Sequence, residues 1–375
     1  MDTRQPRVLH VAAGNLFGGI ERMLLAIASA QQPDCRHDIA VGFDGRLAAE
    51  LRAAGLDAHV LGDVRFRRPD TVWRARRVLL RLLDAGRYDA LIAHAPWSGA
   101  LASPVARRAA RPWLQWMHDP PRPDEWPERR VTRHRPDLFV CNSRYTSDAV
   151  ARWQPDVPRA VVYPPVVPGA PLTSDERRRL RAGLGAGDGT VVIVLASRFE
   201  RWKGHALLLQ AAARLRGDFT IWIAGGVQRP VETDYLDELA ERAADPALAQ
   251  RVRFLGDRHD VPRLMAAADV HCQPNTGPEP FGIAFVEALY AGLPVVTTAM
   301  AGALEIVDGT CGLLVREPSD ILVAEALQSL IDRPALRASL SAAAPAQARR
   351  ISDPIARLAD VRDLIQAQLT CSSIA

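Results

Sequence analysis

Residues 190–205 read TVVIVLASRFERWKGH. Thr190–Ala196 is a short, unbroken run of β-branched and aliphatic residues. It lacks the alternation of a half-exposed strand, which predicts a strand buried on both faces. Ser197–Gly204 follows as a polar loop, and the pattern then turns helical. Strand, loop and helix in succession are the βαβ grammar of a parallel sheet. Lys203 in this loop is the sole lysine of the sequence; the other 46 of its 47 basic residues are arginine. An ammonium just before a glycine and a helix start stands among free backbone amides, where phosphate binds well. A solvated surface loop is the plainer alternative for these residues taken alone.

The alternation continues in both directions. Strands are expected at Val8–Ala13, Ile39–Phe43, Ala58–Leu61, Ala90–Ala93, Trp113–Met117 and Leu138–Cys141, with helices at Gly19–Ala30, Leu47–Ala54, Thr71–Leu83 and Gly99–Ala109. Further strands are expected at Phe219–Ala224, Val252–Leu255, Val270–Gln273 and Pro294–Thr297. Between the two series lies Tyr163–Thr173, YPPVVPGAPLT, whose four prolines and glycine exclude helix and central strand. It reads as a linker. The fold class is therefore α/β, with two doubly wound, Rossmann-like domains, residues 1–165 and 166–350, facing across a cleft. Such sheets bind ligands beyond the carboxyl ends of their strands. A last helical stretch, Ile351–Leu369, within residues 351–375, is expected to cross back to the first domain.

The chain has 375 residues, 48% hydrophobic and 24% charged, the balance of an ordinary globular protein. Its net charge of +4 is uneven. Residues 1–165 carry 25 arginines against 18 acidic residues, and the remainder carries 22 basic against 25 acidic. A basic half attracts anionic ligands or surfaces. No interleaving of aromatic and basic residues suggests nucleic acid, and none is expected as a partner. Cys35, Cys141, Cys272, Cys311 and Cys371 are scattered without C-x-x-C spacing. That fits a reducing compartment and argues against disulfides or zinc. The opening MDTRQPRVLHVAAG enters a strand without a signal-peptide core, and nothing offers about 18 uncharged apolar residues. The expectation is a cytoplasmic protein. Arg65–Leu83 mixes arginines with Trp73, Val78, Leu79 and Leu82. Such a helix could rest on the anionic inner face of the plasma membrane as a peripheral contact, or simply bury its apolar side in the core.

Three loops carry the candidate chemistry. The first follows Val8–Ala13 and holds Gly14, Gly18, Gly19 and Glu21. Its spacing is not G-x-G-x-x-G, which disfavours a dinucleotide oxidoreductase. The second holds Arg198 and Lys203, a planar fork and a point charge suited to the two phosphates of a diphosphate. The third follows Val270–Gln273 and reads PNTGPEPFGI, with Glu279 and Glu287 eight positions apart. Glu287 lies in IAFVEALYAG, on a helix that reads as buried. A buried carboxylate needs a partner; ribose hydroxyls would serve, and so would a distant arginine.

Together these loops resemble the retaining, family-4 type of glycosyltransferase with the GT-B architecture, over nearly the whole chain. The resemblance rests on the E-x7-E segment Glu279–Glu287 with the Ala291-Gly292-Leu293-Pro294-Val295-Val296 that follows, on Ser197-Arg198 to Lys203-Gly204, and on Gly18-Gly19-x-Glu21. It implies that Arg198 and Lys203 bind the donor diphosphate, that Glu287 holds the donor ribose, and that Glu279 approaches the transferred sugar. It implies that the amides of Phe281, Gly282 and Ile283 contact sugar and phosphate, and that Gly18 and Gly19 close from the first domain. A histidine at a first-domain strand end would face the reacting sugar: His118 in QWMHD fits best, His94 in LIAHAP second. Catalytic roles thus fall to Glu279, His118, Arg198 and Lys203. Pro280 departs from the family pattern, standing where glycine is common.

The implied reaction moves a sugar, with retention, from a nucleotide-diphosphate sugar to a glycan, lipid-linked or small-molecule hydroxyl, in cell-envelope polysaccharide or glycolipid synthesis. No cofactor is expected. The absence of D-x-D, H-E-x-x-H and clustered Cys/His leaves charge neutralisation to the two cations, with no metal required. A non-catalytic nucleotide-sugar or glycan-binding homologue and a nucleotide-sugar epimerase of the same shape are the competing readings.

Overall fold

The computed structural model describes residues 5–30, 35–85 and 88–372. The chain divides into two units, residues 1–165 with 354–375, and residues 166–353.

The first unit alternates β1 (Arg7–Ala12), α1 (Gly19–Ser29), β2 (Arg36–Val41), α2 (Arg46–Ala53), β3 (Ala58–Val60), α3 (Pro69–Asp84), β4 (Ala90–His94), α4 (Ala95–Arg108), β5 (Trp113–Met117), α5 (Trp126–Arg133), β6 (Leu138–Cys141), α6 (Arg144–Trp153) and β7 (Arg159–Val161). Its seven strands lie in the order β3-β2-β1-β4-β5-β6-β7, every pair parallel. Strands β4 and β5 are buried at every residue, as an unbroken apolar run requires when helices cover both faces. Helix α3 buries Val72, Ala75, Leu79 and Leu83 at three- and four-residue spacing in the unit's core. Of the apolar residues that the sequence left free to face either lipid or core, Leu79 is therefore core, and Val78 and Leu82 pack against it.

The second unit contains α7 (Ser174–Gly183), β8 (Val191–Ala196), α8 (His205–Ala212), β9 (Phe219–Ala224), α9 (Pro230–Ala243), β10 (Val252–Gly256), α10 (Val261–Ala267), β11 (Val270–Gln273), α11 (Ile283–Tyr290), β12 (Val295–Thr298), α12 (Ala303–Ile306), β13 (Gly312–Val315), α13 (Asp320–Asp332) and α14 (Pro334–Ser352). Its parallel sheet runs β10-β9-β8-β11-β12-β13, a doubly wound order. Strands β8 and β9 are buried throughout and pack Val191, Ile193, Leu195, Phe219, Ile221 and Ile223 into one core with α8 and α13. Burying each of these side chains stabilises the unit by about 1.5–3 kcal/mol.

A charged residue is built into this core. Arg181 on α7 is 1% exposed. Its guanidinium donates to the Ala267 carbonyl at 3.0 Å, to Asp269 Oδ2 at 2.9 Å, to the Gly187 carbonyl at 3.1 Å and to the Thr190 carbonyl. Asp269 in turn accepts from the Val192 amide at 2.8 Å. The turn-rich GLGAGDG stretch before β8 is thus shaped around one buried fork, whose charge is matched by a carboxylate and spread over three carbonyls.

The last helix, α15, is Pro354–Ser372 and belongs to the first unit. It begins later than the expected Ile351, because Ile351 and Ser352 complete α14. Asp353 has an extended backbone, φ −55° and ψ 121°, as the residue before a proline must when the ring excludes the helical region. No regular structure forms between β7 and α7, where the proline-rich linker lies. Strands β7 and β13 were not legible in the sequence. RAV and GLLV are short edge strands with partly exposed residues, so neither shows an unbroken apolar run.

Candidate functional site

Strands β8 and β11 are neighbours on either side of the point where the strand order of the second sheet reverses. Ligands of doubly wound sheets bind outside the carboxyl ends of strands at such a point. The loop leaving β8 carries Arg198 and Lys203, and the loop leaving β11 carries Glu279. Their backbones touch. The Thr276 amide donates to the Trp202 carbonyl at 2.8 Å. At Gly204 φ is +81°, and a Cβ there would lie 1.9 Å from the Pro274 carbonyl oxygen. Only glycine permits both that conformation and that approach.

The contact brings two of the expected residues together. Lys203 Nζ donates to Glu279 Oε2 at 2.5 Å, with side-chain exposures of 16% and 9%. The ammonium also lies 3.9 Å from the centre of the Trp202 ring. Gln273, the last residue of β11, donates to the same Glu279 oxygen at 3.2 Å and to Asn275 Oδ1 at 2.9 Å. The Glu279 carbonyl accepts from the Gly302 amide at 2.8 Å. The carboxylate is therefore held by two side chains, and its backbone by the Gly302 amide, all within its own unit. Sequence reasoning did not single out Gln273, Trp202 or Gly302.

Arg198 stands between two carboxylates. Its Nη2 lies 2.9 Å from Glu200 Oε1 and its Nη1 lies 3.6 Å from Glu232 Oε1. Glu232 is 2% exposed, near the start of α9, where its Oε2 accepts from the Gln228 amide at 2.7 Å. Arg198 Nη1, Glu200 Oε2 and Glu232 Oε1 are buried without a hydrogen-bond partner among the described residues. Glu200 is two residues from Arg198 and could have been suspected. Glu232 belongs to the next helix along the sheet, and nothing local marks it. The two ends of the Arg198–Lys203 loop are tied by Ser197 Oγ and His205 Nε2, 3.3 Å apart.

Phe281 is buried, Gly282 has φ +106°, and Ile283 begins α11. The amides of a helix's first turn have no intrahelical acceptor. Glu287 is not buried as the sequence suggested, but half-buried. Ile283, Ala284, Glu287, Tyr290 and Ala291 share its accessible stripe, while Phe285, Val286, Ala288 and Leu289 turn inward. The apolar composition of IAFVEALY hid that stripe. Glu287 lines a pocket of about 230 Å3 with Val167, Gly169, Pro262, Ala266 and Tyr290.

In the first unit Gly18 caps α1 and Gly19 opens it. The Gly18 amide donates to Glu21 Oε2 at 2.9 Å, so the glutamate of G-G-x-E serves the turn itself. His118 stands just beyond β5 and His94 ends β4. Their rings are hydrogen-bonded, His94 Nδ1 to His118 Nε2 at 3.0 Å. Burial pushes His118 down to about 3 and His94 well below the ordinary imidazole range, so both are neutral at physiological pH.

Two family models match the chain in succession: Glycosyltransferase Family 4 over residues 17–169 and Glycosyl transferases group 1 over residues 176–347. The chain belongs to the group 1 glycosyltransferases of GT-B fold. The transferase is 29% identical over 70% of its length to a D-inositol 3-phosphate glycosyltransferase of Pseudarthrobacter chlorophenolicus, covering 67% of that protein. It is 30% identical over 63% of its length to the enzyme of that name from Mycolicibacterium vanbaalenii, covering 58% of it. Among solved structures it resembles Anabaena HepE in complex with UDP and glucose, with a TM-score of 0.86, 24% identity, 97% of this chain and 100% of that one. It also resembles the sucrose-phosphate synthase of Thermosynechococcus elongatus, with a TM-score of 0.79 and 18% identity over 98% of this chain and 100% of that one. No helix of the described residues is long and apolar enough to cross a membrane.

Proposed function

We propose that the transferase moves a sugar from a UDP-sugar to an acceptor hydroxyl with retention of configuration and without a metal ion. The observation that carries this reading is the convergence of Lys203 and Glu279 beside the reversal of the second sheet. The donor diphosphate takes Lys203 and Arg198 as counter-ions and the first-turn amides of α11 as donors. Glu279, released from Lys203, turns to the sugar, and Glu287 in its pocket takes the ribose hydroxyls. As the bond between the anomeric carbon and the phosphate oxygen breaks, charge grows on the leaving diphosphate, and the two cations act most strongly there. The acceptor oxygen bonds to the same face of that carbon and its proton passes to a donor phosphate oxygen. Support for uridine comes from HepE, solved with UDP and glucose and with UDP-glucose. The name of the curated relatives, D-inositol 3-phosphate glycosyltransferase, supports a hydroxyl on a phosphorylated acceptor; a role in envelope glycan or glycolipid synthesis is part of the same proposal.

The nucleotide is tested by thermal unfolding with UDP, GDP, ADP and dTDP. At a hundredfold excess over its dissociation constant, UDP raises the melting temperature by about 5–10 °C. Turnover of UDP-sugar persists in a chelator. No shift with any of the four nucleotides would remove the reading.

The same proposal places the protein against an anionic bilayer. Trp73, 58% exposed, with Arg77 stacked over its ring at 4.6 Å, and Arg81 form an outward stripe on α3 at four-residue spacing. Co-sedimentation with phosphatidylglycerol vesicles but not with phosphatidylcholine vesicles is expected, and is lost in the Trp73→Ser, Arg77→Ser double variant. Equal recovery on both vesicle types would refute the contact.

A further inference from the structure

Four histidines on neighbouring elements of the first sheet form an unbroken hydrogen-bonded chain. His37 on β2 is joined to His10 on β1, Nδ1 to Nε2 at 3.0 Å. His10 Nδ1 meets His94 Nε2 at 2.8 Å, and His94 Nδ1 meets His118 Nε2 at 3.0 Å. The rings are 7%, 0%, 2% and 7% exposed in that order. Trp116 stacks on both His94 and His118, 5.4 Å and 5.8 Å between centres, with interplanar angles of 26° and 11°. His94 is followed by Ala95 at φ +63°, a left-handed turn that an alanine adopts only under constraint, and it fixes His94 at the strand end. The chain has no part in the donor chemistry described above beyond its last member.

Each link needs one N–H and one lone pair, and a neutral imidazole has one of each. Three links among four neutral rings therefore share one sense: all protons point toward His118 or all point toward His37. Burial depresses all four groups, which keeps them neutral. The far end decides the sense. His37 Nε2 is buried with no hydrogen-bond partner among the described residues. The nearest carboxylate, Asp38, is occupied by Arg7 at 2.9 Å, Arg36 at 3.2 Å and the Tyr88 hydroxyl at 2.9 Å. A proton on His37 Nε2 would be an orphaned buried donor, the costlier end to leave unmet.

We propose that His37, His10 and His94 are positioning residues that lock His118 as the Nδ1–H tautomer, so that His118 meets its substrate oxygen as a hydrogen-bond donor and not as a base. The substrate contact rests on the transferase reading; the tautomer does not. A ring's free nitrogen is set by the bond its other nitrogen makes, and here that rule is passed along three residues. His118 Nδ1 could act as a base only after giving up its own proton, with each of the three link protons crossing to the ring nearer His118 and His37 Nε2 taking up another that it has no partner to share.

The test is 15N–1H spectroscopy of the full-length, ligand-free protein labelled at histidine, with His118 assigned by its loss in His118→Gln. All four rings are expected to show a protonated Nδ1 and a bare Nε2. In His94→Asn, whose amide replaces the Nδ1 donor, His118 keeps that signature. In His94→Gln, whose amide replaces Nε2 instead, His118 loses it, and turnover falls about tenfold at unchanged donor KM, the worth of one substrate hydrogen bond. A protonated Nε2 on His118 in the wild-type protein overturns the proposal without any variant, and so does a His118 signature equal in the two His94 variants. UDP binding is measured apart from this, so loss of the nucleotide shift would sink the donor reading and leave the tautomer result standing.

Discussion

Lys203→Ala turns over its nucleotide-sugar about 10²–10³ times more slowly than the wild-type protein, the cost of one preorganised donor to a developing negative charge. The physical reason lies in the place of that ammonium. It sits at 16% exposure on a loop clamped to its neighbour, so little reorganisation is needed when the leaving group acquires charge. Lys203→Arg restores the charge but not the point geometry, since a planar fork does not reproduce the contacts of a compact ammonium with Trp202 and Glu279. It is expected to recover only part of the loss. Removal of the ammonium also leaves Glu279 with Gln273 as its remaining side-chain partner among these contacts, so the ligand-free melting temperature drops by about 2–4 °C. The rate is measured by release of the nucleotide under saturating acceptor. A Lys203→Ala protein with wild-type turnover and nucleotide affinity would take the site elsewhere.

The second large effect comes from a residue with no polar side chain. Gly204→Ala forces a left-handed backbone on alanine, at about 1–2 kcal/mol, and drives a Cβ into the Pro274 carbonyl 1.9 Å away. The three nearest atoms, from Pro274 and Asn275, are all backbone, so the contact cannot relax by a rotamer change. The loop after β8 must lift from the loop after β11, and the Lys203–Glu279 pair separates with it. Urea unfolding is expected to show a loss of at least about 3 kcal/mol, and nucleotide affinity falls with it. Gly183→Ala is the control: no atom lies within 4 Å of its Cβ position, and it should be near neutral. Equal stability of the two variants would mean that the loops do not pack as described.

The chemistry of the site was legible because its residues sit in local words. Ser197–Gly204 and Glu279–Glu287 each follow a buried strand and precede a helix, and a buried parallel strand betrays itself as an unbroken apolar run. What those words do to one another was not legible. Lys203 and Glu279 are 76 positions apart, and their ion pair exists because β8 and β11 are adjacent in a sheet order no local pattern encodes. The exposure of Glu287 was misread for the same reason. Apolar neighbours on both sides say nothing about which side of α11 is covered, and packing left one stripe accessible.

Local preference by itself determined the inner elements: apolar runs make the buried strands, prolines make the linker and the break at Asp353, and glycines mark the sharp turns. The tertiary structure alone decided which side chains meet. Arg198 faces Glu232 from another helix, and His37, His10, His94 and His118 line up only because β2, β1, β4 and β5 lie side by side. A chain's dihedral preferences reach a few residues, whereas a parallel sheet joins strands through connections of a dozen residues or more.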